Sequence, residues 1–222
     1  MERLQLKIEE NRSVIRKSEF FNELKATING SFKCIRCLAL GSPSQSSDAR
    51  YQYALLLELI EYLGVTEISI YDPAFTKEDK ELFGGYKIEQ KFNLRQDESV
   101  LFYIPHLPLE AMEMVLNTEK PVCFLGNDAI AHTDRLTKKK LAELYPGMAI
   151  LVQYLQGLES DDGFTKVSKN RRRKQFKEPD IVYNFDSVYF KHVDIVRYKH
   201  NFNKNDPWGN SFSDLALHRL TT

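Results

Sequence analysis

Cysteine is scarce in this chain of 222 residues, and the three cysteines that occur form no recognisable framework. An odd number of cysteines argues against a set of structural disulfides. Cys34 and Cys37 have C-x-x-C spacing, but no second cysteine or histidine pair follows that would complete a zinc shell. We therefore expect buried, reduced thiols and no metal site.

Net charge and long apolar runs are missing as well. Lysine plus arginine and aspartate plus glutamate each total 31, so the formal net charge is zero and no overall field attracts nucleic acid. No apolar run reaches about 18 residues, and the N-terminal stretch is charged rather than apolar. These features predict an intracellular, cytoplasmic protein with neither a membrane nor nucleic acid as a partner.

What the sequence does contain is an alternation of apolar, strand-like runs and amphipathic helices. Residues 2–28 have helical periodicity, and apolar runs recur at residues 31–40, 65–73, 99–108 and 121–127. Such near-continuous apolar runs are typical of parallel strands covered on both faces. The pattern predicts an α/β fold, a Rossmann-like and mostly parallel sheet with helices on both faces, as a single domain. We expect an N-terminal helical segment over residues 1–30 and the α/β domain over residues 31–222.

Three finer expectations concern the ends of helices and strands. Asp48 is placed to cap the helix that follows the first strand. Thr76 and Asp79 have capping-box spacing at the start of a short helix. Pro146 and Gly147 are expected to end a helix over residues 136–147, and the run MAILVQYL at residues 148–155 is expected to be a further strand.

Polar residues follow the predicted strands at the points where the strands end. In doubly wound sheets, ligands bind beyond the carboxyl ends of the strands, where the strand order reverses. The polar ends of this chain are therefore expected to share one groove. Its candidate ligand-binding residues are Gly41, Ser42, Ser44, Asp48, Asp72, His106, Asn127 and Asp128.

The loop over residues 41–48 suits an anion, because serine hydroxyls, backbone N–H groups and a helix start converge there. It nevertheless lacks the three glycines of the dinucleotide fingerprint and the G-K-[ST] of the Walker loop. Asp72 would take the ribose-binding position, but it lies 31 residues after Gly41, where about 20 are expected. The alternative is that the serines only cap a helix and that Asp72 only caps the turn before Pro73.

His106 lies between two prolines in the stretch IPHLP, which holds its backbone extended at a strand end. The imidazole is a candidate general base or ligand, and the alternative is a hydrogen-bonded structural histidine. The other four histidines have no metal-ligand spacing. We assign neither a catalytic residue nor a cofactor, and we leave open whether the protein is an enzyme.

The segment KVSKNRRRKQFK at residues 166–177 is basic, with seven lysines or arginines and no acidic residue. A cluster of this kind is typical of a nuclear import signal or a local nucleic-acid contact. The alternative is a solvated insertion loop over about residues 159–179. The basic patch consists of Lys169, Arg171, Arg172, Arg173 and Lys174.

Five motifs, taken in order, give the chain a resemblance to a known family. They are LALGSPSQSSDARYQYALLLEL, ISIYDPAFTKEDKELFG, VLFYIPHLP, VCFLGND and NSFSDLALHRL. The set resembles the SRR-like family, which is named from the plant trait "sensitivity to red light reduced" and includes the fungal benomyl- and microtubule-related members. Where the family has G-L-G after the first strand, this chain has Ala39, Leu40 and Gly41. The resemblance adds Arg50 and Gln52 to the candidate ligand-binding residues.

The resemblance implies a regulatory protein without a settled enzymatic activity. It implies a role in microtubule and cytoskeleton stability, circadian rhythm or the regulation of heme biosynthesis, with protein partners and a location in the cytoplasm and also the nucleus. The alternative is a Rossmann-like enzyme or a nucleotide-type small-molecule binder that uses the loop after the first strand. No heme ligand is assigned, because the chain has no C-x-x-C-H motif.

Overall fold

The computed structural model describes residues 1–93, 99–159, 181–203 and 205–222. Its strands are β1 Cys34–Leu38, β2 Glu67–Tyr71, β3 Lys87–Ile88, β4 Val100–Ile104, β5 Cys123–Asn127, β6 His192–Arg197 and β7 Leu215–Thr221. They form one seven-stranded sheet in the order β3-β2-β1-β4-β5-β7-β6. Strands β1 to β5 pair in parallel, whereas β7 pairs antiparallel with β5 and β6. The expected mostly parallel sheet is confirmed.

Eight α-helices and one short 3-10 helix, Phe185–Ser187, accompany the sheet in the described ranges. The α-helices are α1 Glu2–Arg16, α2 Glu19–Thr27, α3 Ser47–Leu63, α4 Lys77–Leu82, α5 Leu109–Thr118, α6 Ala129–Thr133, α7 Lys138–Leu144 and α8 Pro146–Glu159. Helices lie on both faces of the sheet, so the predicted α/β architecture in a single domain is confirmed. None of the helices described is long and apolar enough to span a lipid bilayer.

Each face of the sheet has its own hydrophobic core, because successive side chains of a strand point to opposite faces. On β1, Ile35 and Cys37 join the core formed with α1, α2 and α3. Cys34 and Leu38 join the core formed with α5, α7 and α8. The two cysteines of the C-x-x-C spacing therefore lie on opposite faces, and all three cysteines are buried.

The N-terminal helices pack on the sheet domain and contribute to its core. Phe20 and Leu24 of α2 are fully buried in the core that contains α3. The carboxylate of Glu58 on α3 is also buried, and it accepts hydrogen bonds from the Nε atoms of Arg12 and Arg16 at 2.7 and 2.8 Å. Apolar contacts and an ion-pair network thus hold the first two helices in place.

The start of α3 corrects one expectation. Its N-cap is Ser46, whose hydroxyl accepts from the N–H of Ala49, so Asp48 is not the cap and lies within the first turn. A serine in extended backbone conformation followed by an acidic residue in the first turn satisfies both capping and the helix dipole. The capping box of α4 is confirmed, with Thr76 and Asp79 bonding each other reciprocally.

The expected strand over residues 148–155 is wrong, because this stretch lies inside α8. The helix expected over residues 136–147 is α7, which ends at Leu144, shortly before Pro146. Pro146 also begins α8, where its fixed φ and missing N–H suit the first helical position. The helix is apolar on most sides because it packs between the sheet and α5, α6 and α7. A short apolar run that is buried on most sides has no periodicity that separates a strand from a helix.

The strand order reverses between β1 and β4, which makes the carboxyl ends of these two strands the switch point of the sheet. The described residues of the β3–β4 connection form no helix, although parallel crossovers are usually helical. The side of β1 that carries Arg36 and Leu38 therefore faces an open space beside α5.

Candidate functional site

A cavity of about 630 Å³ lies at the switch point of the sheet. It is bounded by the end of β1 and the loop that follows, the first turns of α3, the end of β2, and α5 with the loop before it. We call it the switch-point cavity. Most of its lining residues are apolar, with a few polar groups, which is the composition of a small-molecule pocket. Of the sequence-predicted residues, Gly41, Asp48, Gln52, Asp72 and His106 line it.

The loop over residues 41–48 already holds an anion, which is the carboxylate of Asp79 on α4. Asp79 is fully buried, and it accepts from the Ser42 hydroxyl at 2.5 Å, the Ser44 N–H at 2.9 Å, and both the N–H and hydroxyl of Thr76 at 2.9 Å. Burial acts to raise the pKa of Asp79, but the hydrogen bonds from Ser42, Thr76 and Ser44 outweigh it and lower that pKa below its ordinary value. Ser42 and Ser44 therefore serve the protein's own carboxylate.

Asp72 joins the end of β2 to the loop after β1. Its Oδ2 atom accepts from the Gly41 N–H at 2.8 Å, and its Oδ1 atom accepts from the Ala74 N–H at 2.8 Å. The spacing of 31 residues between Asp72 and Gly41, longer than in the dinucleotide fingerprint, does not keep the two apart. Since a carboxylate has about four lone-pair positions, two remain for further donors at the cavity wall.

The backbone after β1 is left-handed at two positions. Ala39 has φ 54° and Gly41 has φ 71°, and both residues line the cavity. Glycine adopts this conformation freely, whereas an alanine there is strained. At Gly41 a Cβ atom would also lie 3.2 Å from the Cβ of Ala49, so glycine is required for close packing on α3. Ala39 lies where the SRR-like pattern has its first glycine, so a left-handed position carries a methyl group in the wall of the cavity.

Arg36 forms the floor of the cavity and is fully buried. Its N–H groups donate to the Ser69 hydroxyl, to the backbone oxygens of Glu89 and Gln90, and to the carboxylate of Glu119. The guanidinium also lies 5.1 Å from the ring centre of Phe92. All five donors of the guanidinium thus have partners within the protein.

Two other lining residues connect α3 to the turn before β7. Asp48 accepts from the Ser211 hydroxyl at 3.0 Å, and the Gln52 side-chain amide donates to the Ser211 backbone oxygen at 3.2 Å. Arg50, by contrast, donates to the backbone oxygen of Pro43 and does not line the cavity. Asp48 and Gln52 therefore tie one end of the cavity to the turn before the last strand of the chain.

His106 lies at the mouth of the cavity with its side chain exposed. Within the described parts of the chain, its imidazole makes no hydrogen bond. The ring is therefore available to a molecule that enters the cavity.

Asn127 and Asp128 do not reach the switch-point cavity but belong to a second group, the β5–β7 cluster, which consists of Asn127, Asp128, His132, Asp214 and His218. The Asn127 amide donates to Asp214 at 2.9 Å and lies 3.4 Å from Nδ1 of His132. Asp128 caps α6 and forms an ion pair with Arg197. Burial acts to raise the pKa of Asp128, but the hydrogen bond and charge of Arg197 outweigh it and lower that pKa. Only about 10 Å³ of free space adjoins Asn127 and His132, which is close to the room for one water.

His218 is the most deeply buried member of the cluster. It accepts a hydrogen bond from the Ala129 N–H at 3.3 Å and stacks on Phe124 with ring centres 4.2 Å apart. Burial lowers the pKa of His218 to about 4. The Asn127 Oδ1, His132 Nε2 and His218 Nδ1 atoms are buried without a hydrogen-bond partner in the described part of the protein.

Sequence reasoning missed Arg36, Glu119 and the second role of Asp79. A signal existed for Arg36, because an arginine inside the apolar strand SFKCIRCLAL has to find partners when it is buried. Asp79 was recognised only as a capping residue. Its bonds to Ser42 and Ser44 depend on the packing of two loops that are distant in sequence. The predicted basic patch over residues 169–174 lies outside the described residues.

The lining of the switch-point cavity suits a small organic molecule. In the ranges described, no group of three or more histidine, cysteine or acidic side chains is arranged to hold a metal ion. The cavity combines an apolar wall with an accepting carboxylate, Asp72, and a titratable group at its mouth, His106. Such an arrangement can bind a small organic molecule and orient its hydroxyl groups.

Comparison with known proteins identifies the family. Neither the curated proteins nor the solved structures gave a match to this chain. A family model, described as the SRR1 domain, matches residues 7–219. The match covers nearly the whole chain, including every residue of the switch-point cavity and of the β5–β7 cluster. The chain therefore belongs to the SRR1 domain family.

Proposed function

We propose that this protein is a regulatory member of the SRR1 domain family that binds a small organic molecule in the switch-point cavity. The observation that supports this most is the position of the cavity, which is formed by residues of three SRR-like motifs where the strand order reverses. Microtubule stability, circadian rhythm and the regulation of heme biosynthesis are the outputs that the family resemblance suggests, and protein partners would carry them.

The contacts of α3 connect the cavity to the turn that precedes β7. Asp48 and Gln52 line the cavity and also hold Ser211, which lies in the turn that leads into β7. A ligand that contacts these two residues would change how firmly that turn is held. Occupancy could in this way alter a surface that a partner recognises.

The binding proposal is tested with a cavity-filling variant and a matched neighbour. Ala111 on α5 lines the cavity, whereas Glu110 is exposed and does not. The protein is screened by thermal shift against nucleosides, nucleotides, adenosylmethionine, heme and phosphosugars. A true ligand at a hundredfold excess over Kd stabilises the folded state by about 2.7 kcal/mol. We expect Ala111→Trp to abolish the shift and Glu110→Trp to retain it.

Absence of any shift across the panel would contradict the proposal, and so would a shift that survives Ala111→Trp. The same pair of variants tests the regulatory output. In cells that lack the protein, Glu110→Trp should restore the output and Ala111→Trp should not.

An enzyme is the second candidate, because His106 places a titratable imidazole at the mouth of the same cavity that Asp72 lines. In that case His106 would transfer a proton to or from the bound molecule. The variant His106→Gln should then bind the ligand within about threefold of the unmodified protein but lose its turnover, a proton-transfer effect typically of 10² or more. Equal conversion of the ligand by both proteins would exclude this role.

We propose a cytoplasmic location, with the nucleus as a second compartment reached through the basic patch. Replacing Arg171, Arg172 and Arg173 with alanine should lower the nuclear fraction of the fluorescently tagged protein. Neutralising Lys138, Lys139 and Lys140 on α7 in the same way is the matched control. An unchanged distribution of the arginine variant would contradict nuclear import through this patch.

A further inference from the structure

Three donors of the loop over residues 41–48, which would receive a phosphate in a nucleotide-binding protein, are occupied by the protein itself. The Ser42 hydroxyl and Ser44 N–H donate to Asp79, and the Gly41 N–H donates to Asp72. Asp79 is fully buried, so a ligand cannot replace it without unfolding the contact between the loop and α4. The loop has the shape of an anion site but already contains its anion.

The charges of the cavity also disfavour a phosphate. Arg36 is the one lysine or arginine among the described residues that line it, and every donor of its guanidinium is used. Its charge is balanced by Glu119, with which it forms an ion pair at 3.2 Å. The carboxylates of Asp48 and Asp72 remain, so the lining has a surplus of negative charge. A phosphorylated ligand would be repelled, whereas a neutral or cationic one would not.

The remaining acceptor capacity of Asp72 suits adjacent hydroxyl groups. Asp72 directly follows β2 and contacts the loop after β1, which is the place from which an acidic residue binds ribose hydroxyls in dinucleotide-binding sheets. Beside it the wall is apolar, with Leu38, Leu107 and Val115 among its residues. A molecule with a flat apolar group and a pair of hydroxyls would fit the cavity, because the flat group would contact the apolar wall and the hydroxyls would donate to Asp72.

Building on the proposed function, we infer that the switch-point cavity selects a ligand of the nucleoside type, with adjacent hydroxyls and no phosphate, and discriminates against the corresponding nucleotide. Asp72 accepts the hydroxyls, and the internal carboxylate of Asp79 closes the place where a phosphate would bind. A positively charged nucleoside derivative benefits further from Asp48 and Asp72.

The test compares each nucleoside with its own 5′-monophosphate by isothermal titration calorimetry. The probes are adenosine, guanosine, cytidine and uridine, their monophosphates, and adenosylmethionine as a cationic nucleoside without phosphate. We expect at least one phosphate-free compound to bind with a Kd at least about tenfold below that of its phosphorylated counterpart, and Ala111→Trp to remove this binding. A higher salt concentration should reduce the difference between the two Kd values, because the preference for the phosphate-free compound is partly electrostatic.

Two charge variants separate the role of Asp72 from a general effect. Asp72→Asn keeps an oxygen that can accept from the Gly41 N–H but removes the charge. It should therefore weaken nucleoside binding and reduce severalfold the preference for the nucleoside, measured as the Kd of the nucleotide divided by the Kd of the nucleoside. Asp134→Asn changes the same charge at an exposed position outside the cavity and should leave both unchanged.

The outcomes distinguish the inference from the proposed function. If a monophosphate binds as tightly as its nucleoside and Ala111→Trp removes both, the ligand class is wrong and the cavity is still a binding site. If only compounds of another class bind there, the ligand class is again wrong. If no compound from the broader panel binds, both the inference and the proposed function are overturned.

Discussion

Two polar regions lie along the carboxyl edge of the same sheet, and they differ in what covers them. At the switch point, the polar groups of Asp79 and Arg36 are satisfied internally, Asp72 keeps part of its acceptor capacity, and a cavity of about 630 Å³ remains beside them. In the β5–β7 cluster, three buried side-chain atoms have no partner in the described residues, yet about 10 Å³ of space remains.

The cause of the difference is strand β7. It pairs antiparallel with β5, and the turn before it folds over the end of that strand, where the Asp128 N–H donates to the backbone oxygen of Asp214. Among the described residues, no element covers the ends of β1 and β2 in this way, and those of the β3–β4 connection form no helix. Polar residues at strand ends therefore mark a potential site, and the covering elements decide whether a ligand can enter.

The largest expected effect on stability comes from removing the carboxylate of Asp79, the internal anion of the switch-point region. Asp79→Ala would leave the Ser42 hydroxyl and the N–H groups of Ser44 and Thr76 without an acceptor. Hydrogen bonds to a charged group contribute about 1.5–3 kcal/mol each, so we expect the free energy of unfolding in urea to fall by at least about 3 kcal/mol. Because the pKa of Asp79 is lowered in the folded state, its contribution is complete well above pH 4 and is lost at lower pH.

Glu78→Ala is the matched control, since Glu78 is exposed on the same helix and should change stability by no more than about 0.5 kcal/mol. If Asp79→Ala costs less than about 1 kcal/mol, the loop donors find other partners. The loop would then be able to accept an external anion.

The second prediction concerns His218 in the β5–β7 cluster. Its pKa is lowered from 6.5 to about 4 in the folded state, chiefly by burial. Between these values the unfolded chain binds a proton that the folded protein does not, so stability falls as the pH falls from about 6.5 to 4. At 1.36 kcal/mol per pKa unit the full loss is about 3 kcal/mol, and above pH 6.5 the contribution is constant.

The variant His218→Gln should be less stable at pH 7 and should lack this part of the pH dependence. Urea unfolding at several pH values between 4 and 7 measures the difference in slope, and His192→Gln, at an exposed position, is the control. Equal slopes for His218→Gln and the unmodified protein would mean that the imidazole is accessible to protons in the folded state.

The third prediction tests how tightly the β5–β7 side is packed. A Cβ atom on Gly126 would lie 2.6 Å from Cγ1 and 2.9 Å from the backbone oxygen of Ile104. Since this neighbour includes the backbone of β4, we expect Gly126→Ala to cost about 1–3 kcal/mol of unfolding free energy by overpacking. Gly157→Ala is the control, because a Cβ atom there meets nothing within 4 Å. A neutral Gly126→Ala would show that β4 and β5 can separate.

The sequence alone allowed the sheet, the helices on both faces and part of the site to be predicted. Strands β1, β2, β4 and β5 were recognisable because each is an apolar run bounded by turn residues. The apolar run over residues 148–155 was misassigned because most of its side chains are buried, which removes the periodicity that identifies a helix.

Residues of the site could be predicted from the sequence only where their position at the end of a strand is enough to place them in the cavity. Gly41, Asp72 and His106 follow directly from their places at strand ends and do line the cavity. The separation of Asn127 from them depends on β7, which follows it by more than 80 residues, and the role of Asp79 depends on two loops that meet only in the folded protein. Contacts between residues that are distant in sequence leave no pattern in a short stretch of the chain.

The smallest expected effect concerns the strained alanine in the wall of the cavity. Ala39 has φ 54°, and relieving a left-handed alanine gains about 1–2 kcal/mol, whereas glycine costs about 0.4–1 kcal/mol through the greater freedom of the unfolded chain. Ala39→Gly should therefore raise the free energy of unfolding by about 0.5–1 kcal/mol. Lys120, with φ 48° after α5, is a matched left-handed position outside the cavity, and Lys120→Gly should give a similar gain. A loss of stability in Ala39→Gly alone would mean that the methyl group of Ala39 packs in the wall strongly enough to outweigh the strain.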